Sequence, residues 1–440
     1  MAEVTLVIRG GSVVTPDGLR RLDLALGEGT VVALGEAIPG PSRATVLDAA
    51  GCLIGPGLVD LHTHLRQPGL EEAETVESGA RAAALGGYTA VVAMPNTEPA
   101  IDSAGVARDV LALGRDTVAE VAVAGAITVG RAGKALAPMG ELAALGVRIF
   151  TDDGAGVQDG ALMRRALDYA KGIGVTLAQH CEDECLSAGG TMHEGCWSSR
   201  LGLPGIPAAA EESMVARDIQ LVRLTGAPVH FLHLSTAGSV QLVRDAKAEG
   251  LPVTAEAAPH HMLLTHAEVA GYDPVFKVNP PLRSDGDVAA VIAGLCDGTI
   301  DAIATDHAPH APETKDAPFD QAPPGMLGLQ TALPIAWQVL SPLLGPEQIF
   351  ALMSTQPAAI AGLGVTDSRI AGHSAHGGPL EVGATGNLCV FDPSATTVVD
   401  PTRLASRSRN TPYTGRTFAG AVRHTVLRGE PVVIDAVAQR

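Results

Sequence analysis

His62 and His64 stand two residues apart in the run Asp60-Leu61-His62-Thr63-His64. Side chains of an extended strand repeat every second residue, so both imidazoles face one side and can share one metal ion. Such a pair alone is a weak signal, and a single histidine at a strand end is more often a hydrogen-bonded core residue. Here the pair does not stand alone. His180 and His233 each fall at the end of a later apolar run, Asp153 follows another, and Asp306 closes one more. Four imidazoles and two carboxylates are the nitrogen and oxygen donors that suit Zn2+ or a similar divalent ion. His62 and His64 with Asp306 would hold one ion, His180 and His233 a second, and Asp153 would bridge them. Asp152 has the opposite strand parity and is expected to point away or to stand behind the ligands. Two ions a few ångströms apart polarise a carbonyl and generate a nucleophile from water at neutral pH. Asp306 would then move the proton from that water to a leaving nitrogen.

The elements that must position these residues are regular. Eight apolar, β-branched runs recur: Leu58–His64, Thr89–Met94, Val121–Ile127, Val147–Thr151, Val175–His180, Val229–Leu234, Val253–Ala257 and Ala302–Asp306. Helical patterns such as Glu74–Leu85, Gly160–Lys171 and Ala210–Leu224 lie between them. Buried parallel strands read this way, and eight strand–helix alternations predict an α/β protein built on a (β/α)8 TIM-type barrel. Active sites of such barrels sit at the C-terminal ends of the strands, where the candidate ligands fall. An open dinucleotide-binding sheet lacks support, because no GxGxxG follows any of the runs. Short strand-like runs bounded by Gly, Pro and Asp occupy both ends of the chain: Val4–Arg9, Asp23–Leu26 and Val31–Leu34, then Asn387–Phe391 and Val422–Arg428. They predict a small β-sandwich domain formed by both termini, from 1–55 and 366–440, around a barrel of 56–365.

Composition bounds the function. The chain has 440 residues, 46% of them hydrophobic, and a net charge of −18. A core of that size and content excludes disorder as the main state. The acidic balance argues against nucleic acid, which needs a basic face, and 3% aromatic residues argue against base-stacking platforms. The apolar stretch near Met326–Leu344 is interrupted by Gln330, Pro334, Gln338 and Pro342, so it reads as a buried helix and not as a membrane span. Six cysteines without a framework spacing, and no signal peptide, predict a cytoplasmic protein without disulfides.

The motifs taken together carry a family resemblance. Gly57-Leu58-Val59-Asp60-Leu61-His62-Thr63-His64-Leu65-Arg66-Gln67-Pro68-Gly69 resembles the amidohydrolase superfamily. Gly86-Gly87-Tyr88-Thr89, Met94-Pro95-Asn96-Thr97, Thr151-Asp152-Asp153-Gly154, His180-Cys181-Glu182-Asp183, Asn279-Pro280-Pro281-Leu282-Arg283 and Ala304-Thr305-Asp306-His307-Ala308-Pro309-His310 continue it. This ordered set is similar to the bacterial class I dihydroorotases over nearly the whole chain. The resemblance implies reversible closure of N-carbamoyl-L-aspartate to (S)-dihydroorotate with loss of water, a step of pyrimidine synthesis. It implies that Arg66, Asn96 and His310 grip the substrate carboxylate, an anion that the planar guanidinium fork suits. Asn279 and the backbone of Pro324-Gly325 would contact the ring. A homo-oligomer is expected, and an aspartate transcarbamoylase partner is left open.

One departure separates branches of the superfamily. Hydantoinases, allantoinases and some dihydroorotases bridge their metals with a carboxylated lysine on the fourth strand, but Val147–Asp153 holds no lysine, and Lys134 and Lys171 lie outside it. Asp153 therefore bridges in this reading. The enzyme alternative is an allantoinase- or hydantoinase-type cyclic amidase. The non-enzyme alternative is a dihydroorotase-like subunit of aspartate transcarbamoylase, which would have lost metal ligands that this chain keeps. Other residues have plainer expectations. His260-His261 would stand behind the ligands, and His307 would be structural. His193, His266, His373, His376 and His424 would be surface or loop residues, and 308–325 a Pro-rich loop near the mouth.

Overall fold

The computed structural model describes residues 3–15, 17–39, 43–364 and 374–440. Eight strands in the middle of the chain run parallel, each paired with the next. They are Leu58–Thr63, Tyr88–Ala93, Glu120–Val123, Ile149–Phe150, Thr176–Gln179, Val229–Phe231, Val253–Ala257 and Ala302–Ile303. Ladders join the first three and the last five. A parallel bridge from Gly125 to Phe150 connects the two groups, and another from Thr63 to His307 returns the eighth strand to the first. The strands therefore follow one another around a ring. The pairing is shorter than the apolar runs: the fourth strand pairs over two residues where five were expected. The C-terminal residues of these runs leave the ladder to form the turns that carry the candidate ligands.

Parallel strands flanked on both faces are buried at every position, as Leu58–Thr63 and Tyr88–Ala93 are, and the first carries Asp60, His62 and Thr63 among its apolar residues. Neighbours along a strand alternate between two clusters: Leu58 and Val91 join the larger, Val59, Leu61, Ala90 and Val92 the smaller. Helices start and stop where short polar residues and glycines dictate. Asp159 caps Gly160–Ile173 by accepting from Ala161 and Leu162, and Gly174 ends it at φ 70°. The stretch expected as a buried helix near 326–344 is helical over Ala332–Leu340. Among the described residues, no helix is long and apolar enough to cross a membrane.

The two ends of the chain interleave. One sheet has the order Thr30–Gly35, Asp23–Gly27, Leu6–Arg9, Thr45–Asp48. A seven-stranded sheet places Leu53–Pro56, Ser12–Thr15 and Gly18–Arg21 beside Leu388–Val398, Thr417–Leu427, Glu430–Ile434 and Val437–Ala438. Leu6, Ile8, Leu24 and Leu26 of the first sheet share one hydrophobic cluster with Ile54, Leu388, Val390 and Val426 of the second. The two C-terminal strands run eleven residues each, well past the expected Asn387–Phe391 and Val422–Arg428, because irregularities after Val390 and Asp392 let the ladder pass Pro393. The boundary expected at 365/366 lies outside the described residues.

Leu53–Pro56 leads into the first ring strand, and Gly55 makes that passage against Phe350. A Cβ at Gly55 would lie 2.2 Å from the Phe350 ring. Gly55→Ala is expected to destabilise the protein by about 2 kcal/mol through overpacking, read as a lower midpoint in urea unfolding.

Candidate active site

The C-terminal ends of the ring strands deliver the predicted ligands to one place. Asp153 Oδ1 lies 3.4 Å from His62 Nε2, 3.6 Å from His180 Nδ1 and 3.8 Å from His233 Nε2, while its Oδ2 lies 3.6 Å from His64 Nε2. Asp306 Oδ1 is 3.1 Å from His64 Nε2 and 3.6 Å from His62 Nε2. Two groups of donor atoms are compact enough to hold an ion: His62, His64 and Asp153, and Asp153, His180 and His233. Asp153 belongs to both. His62 Nε2 is buried and makes no hydrogen bond, although it is surrounded by carboxylates. An orphaned nitrogen amid acidic oxygens fits a cation.

Carboxylates behind the rings fix their orientation. His62 Nδ1 donates to Glu256 Oε1 at 2.8 Å, and the other Glu256 oxygen accepts from His230 at 3.1 Å. His180 Nε2 donates to Glu182 Oε2 at 3.1 Å, and Asn279 Nδ2 donates to the same oxygen at 2.5 Å. His64 Nδ1 donates to the Asn96 carbonyl at 2.9 Å. Metal-binding histidines are typically held in this way through their second nitrogen. Glu182 and Glu256 escaped the sequence reading as functional residues, although Glu182 lies inside a motif singled out there.

Asp152 turns away from the ligands, as its parity predicts. Its carboxylate accepts from the Ile127 and Thr128 amides at 2.9 and 3.0 Å, and from the Thr128 hydroxyl. His307 is likewise turned away: Nε2 faces buried Glu74 at 3.3 Å, and Nδ1 accepts from the Gly328 amide at 3.2 Å. Glu74 also accepts from Ser78, Ser406 and the Arg407 amide, which ties a C-terminal segment to the ring. From the same segment, Asn410 Nδ2 donates to the Ala308 and Gly325 carbonyls, and its Oδ1 accepts from the His310 amide at 3.2 Å. The loop 308–325 is thus pinned by residues a hundred positions away.

A cavity of about 260 Å³ opens over the cluster. Its lining brings together His64, Arg66, Asn96, Asp153, His180, His233, Asn279, Asp306, His310, Pro324 and Gly325, with Arg131, Gly154 and Ala308 in addition. Of the predicted site residues only His62 lies beneath the lining, fully buried. No lysine lines the cavity; Lys171 instead donates to the Thr225 carbonyl. Arg131 was missed, because it stands in the loop four residues past the end of the third apolar run, Val121–Ile127, and not at the run's end itself.

The electrostatics express one demand for positive charge. Burial opposes ionisation of Asp153, but His62 and the hydrogen-bonding histidines outweigh it and hold the carboxyl well below its ordinary value. Burial likewise opposes a charged His180, yet Asp153 and Glu182 raise it to about 9. Glu256 falls to about 2, because His230 and His62 overcome its burial. Farther out, burial and then Arg66 and Lys315 depress His310 to about 3, so its ring is neutral. His310 Nε2 donates to the Pro324 carbonyl at 2.8 Å.

Three histidines expected on the surface or in loops are buried, His376 of them within a loop. His376 lies between Thr89 Oγ1 and Glu120. His424 donates to the Asp48 carbonyl and accepts from the Asp435 amide, and His266 packs beside His193. Their surroundings come from distant segments, which local polarity does not report. His373 lies outside the described residues. All six cysteines are free thiols.

Residues 51–239 match a family model described as Dihydro-orotase-like. The chain is similar to the dihydroorotase of Pelotomaculum thermopropionicum, 48% identical over 98% of this chain and 99% of that one. It is also similar to that of Mycobacterium tuberculosis, 48% identical over 98% and 99%. Among solved structures, an L-hydantoinase (dihydropyrimidinase) from Arthrobacter aurescens superposes with a TM-score of 0.86 at 22% identity, covering 100% of this chain and 98% of that one. A D-hydantoinase (dihydropyrimidinase) from Thermus sp. gives 0.82 at 23% identity, covering 98% and 96%. At that identity the likeness shows the mixed α/β fold.

His260 gives the site a pH signature. Its ring is buried with Nε2 unpartnered, and burial, with His233 and His62 adding repulsion, lowers its pKa to about 4. The folded chain keeps this ring neutral while the unfolded chain protonates it near pH 6.5. Stability from this group is therefore full above about pH 6.5 and falls as pH drops toward 4, by at most about 1.4 kcal/mol per pH unit. His260→Gln is expected to show a shallower loss of stability across pH 6.5 to 4 than the parent chain, measured by urea unfolding at each pH.

Proposed function

The chain belongs to the dihydroorotase family, and on that premise we propose that it catalyses the reversible cyclisation of N-carbamoyl-L-aspartate to (S)-dihydroorotate. The observation that carries this reading is Asp153 set among four imidazoles, beneath a cavity that Asp306 and Arg66 also line. His62, His64 and Asp306 would hold one divalent ion and His180 and His233 a second, with Asp153 serving both; Zn2+ suits these donors. When bound, the ions supply Lewis acidity toward a carbonyl and bring the pKa of water to roughly 7. The eight-stranded ring is read as a (β/α)8 barrel over 56–365, and the terminal sheets as a β-sandwich from 1–55 and 366–440. A cytoplasmic location and a homo-oligomer belong to the same reading, which leaves a transcarbamoylase partner open.

The side chains divide the work. In ring opening, water adds to the ring amide carbonyl, the C–N bond breaks, and the nitrogen gains a proton. Asp306 is ionised, because His64 and His62 outweigh its burial and lower its pKa. It accepts the proton of the incoming water and gives it to the departing nitrogen. Ring closure reverses both transfers. Arg66 uses Nε on the Pro309 carbonyl at 3.0 Å, which aims its terminal nitrogens at a carboxylate. His310 has one ring N–H, committed to Pro324, and an arriving carboxylate favours protonation of its other nitrogen. Asn279 spends its NH2 on Glu182 and keeps its carbonyl for a ring N–H.

A cyclic amidase of the hydantoinase type shares the fold, and the absence of a lysine from the cavity lining weighs against it. Turnover of dihydroorotate, allantoin and hydantoin by zinc-loaded protein separates the two. Preference for dihydroorotate is expected, and preference for either of the others refutes the assignment. Asp306→Asn is expected to lower kcat by at least about a hundredfold with unchanged thermal unfolding. Near-normal turnover would remove Asp306 from the proton transfer.

A further inference from the structure

Arg131 has no part in the reaction as described, yet it faces the reaction cavity together with Arg66. Only one of its donor groups has a partner: Nη2 donates to the Asp153 carbonyl at 2.8 Å. Nε is buried and makes no hydrogen bond, and among the described residues no carboxylate forms an ion pair with Arg131. A guanidinium with unused donors at a cavity wall is built for an anion.

The backbone treats Arg131 as it treats the residues of the site. Among the described residues nine that are not glycine have positive φ, and four of them, Arg66, Arg131, His233 and Asp306, line this one cavity. A residue with a Cβ adopts that region at a cost, and such conformations gather where a side chain must be aimed. Arg131, at φ 55°, sits in a turn fixed from both sides. Its amide donates to the Thr128 carbonyl at 2.9 Å, and Thr128 is itself held by Asp152. The Gly130 amide donates to Asp102 at 2.8 Å. Asp152, adjacent to the central Asp153, thus anchors the loop that presents Arg131.

Charge supplies the second line. Arg66 is lowered to about 10, by burial first, with Arg131 among the groups that add to it. Two guanidinium groups that share a cavity relieve their repulsion when two negative charges enter. The open-chain acid carries two carboxylates, and the ring carries one. Arg66 matches the carboxylate common to both. We propose that Arg131 is a substrate-binding residue that recognises the second carboxylate of the open-chain acid, the one that ring closure converts into an amide carbonyl. Its place fits, since Nη2 donates to the backbone carbonyl of Asp153, whose carboxylate stands at the centre of the cluster beneath the cavity. In ring closure the ureido nitrogen bonds to that carboxyl carbon. One carboxylate oxygen leaves as water, taking one hydrogen from the nitrogen and one proton from solution. Arg131 therefore holds a charge that exists on one side of the reaction only.

This inference rests on the dihydroorotase reading, and its test separates the two. Dissociation constants of succinate, a dicarboxylate that cannot cyclise, and of orotate, a ring monocarboxylate, are measured by calorimetry on the metal-loaded full chain. The variants are Arg131→Met and Arg131→Lys, with thermal unfolding and metal content as controls. Arg131→Met is expected to weaken succinate roughly tenfold or more while orotate changes less than about twofold, and Arg131→Lys to recover part of the loss. KM for the open-chain acid should rise in parallel, whereas the ratio of kcat/KM in the two directions stays fixed by the equilibrium constant. Equal weakening of both probes, no weakening of either, or a parent chain that binds orotate but not succinate overturns the role of Arg131. If Arg131→Met does not fold, Arg131→Lys carries the same comparison. A parent chain that turns over neither substrate overturns the functional reading instead.

Discussion

A buried carboxylate among four imidazoles is the constraint on which the site depends. Asp153 is 2% exposed, and a charge so far from water persists only with positive charge or hydrogen-bond donors around it. Three strands contribute the four histidines turned toward it: His62 and His64 from the first, His180 from the fifth and His233 from the sixth. The residues next out answer the same demand: Glu256 and Glu182 balance the rings that would otherwise be cations without counter-charge, and Asn279 and His230 satisfy those two acids in turn. Moving one of these groups leaves another unpaired, so the arrangement holds as a unit.

The ring of strands makes this convergence geometrically possible. Eight parallel strands bring eight C-terminal ends to one side, and each needs to supply only one or two residues. The turns that follow are held by acids that take no part in the cavity lining. Asp152 holds the loop after the third strand, Asp60 accepts from the Thr305 amide beside Asp306, and Glu74 holds His307. Each lies within a few residues of a lining residue or hydrogen-bonds to such a neighbour. Support of this kind behind the lining residues places them precisely.

Much of this was legible in the chain because the candidate ligands sit at strand ends, and strand ends are visible as the points where apolar runs stop. His62, His64, Asp153, His180, His233 and Asp306 all fall there, and alternation along the strand separated Asp153 from Asp152. What local sequence does not carry is the role of residues that act across the fold. Arg131 sits in a loop of Gly, Ala and Lys, four residues past the end of the third apolar run and not at the end itself. Glu256 lies within a strand, where its neighbours Ala255 and Ala257 suggest only packing. Asn410 reaches the mouth from a segment more than eighty residues away. His376 and His424 look exposed by composition, because their partners come from segments remote in the chain.

The seven-stranded sheet has a consequence for how the protein is made. Leu53–Pro56 pairs with Leu388–Phe391, so the strand that feeds the first ligand strand waits for a partner that leaves the ribosome more than three hundred residues later. At a synthesis rate of about 5–20 residues per second, that wait lasts tens of seconds. Through this interval the edge of Leu53–Pro56 is unpaired on that side, and Ile54 lacks the cover that Leu388 and Val390 later provide. The order of synthesis thus leaves the first ring strand, whose far end bears His62 and His64, attached to an unfinished sheet, and the last eighth of the chain completes the foundation on which the earliest part of the site stands.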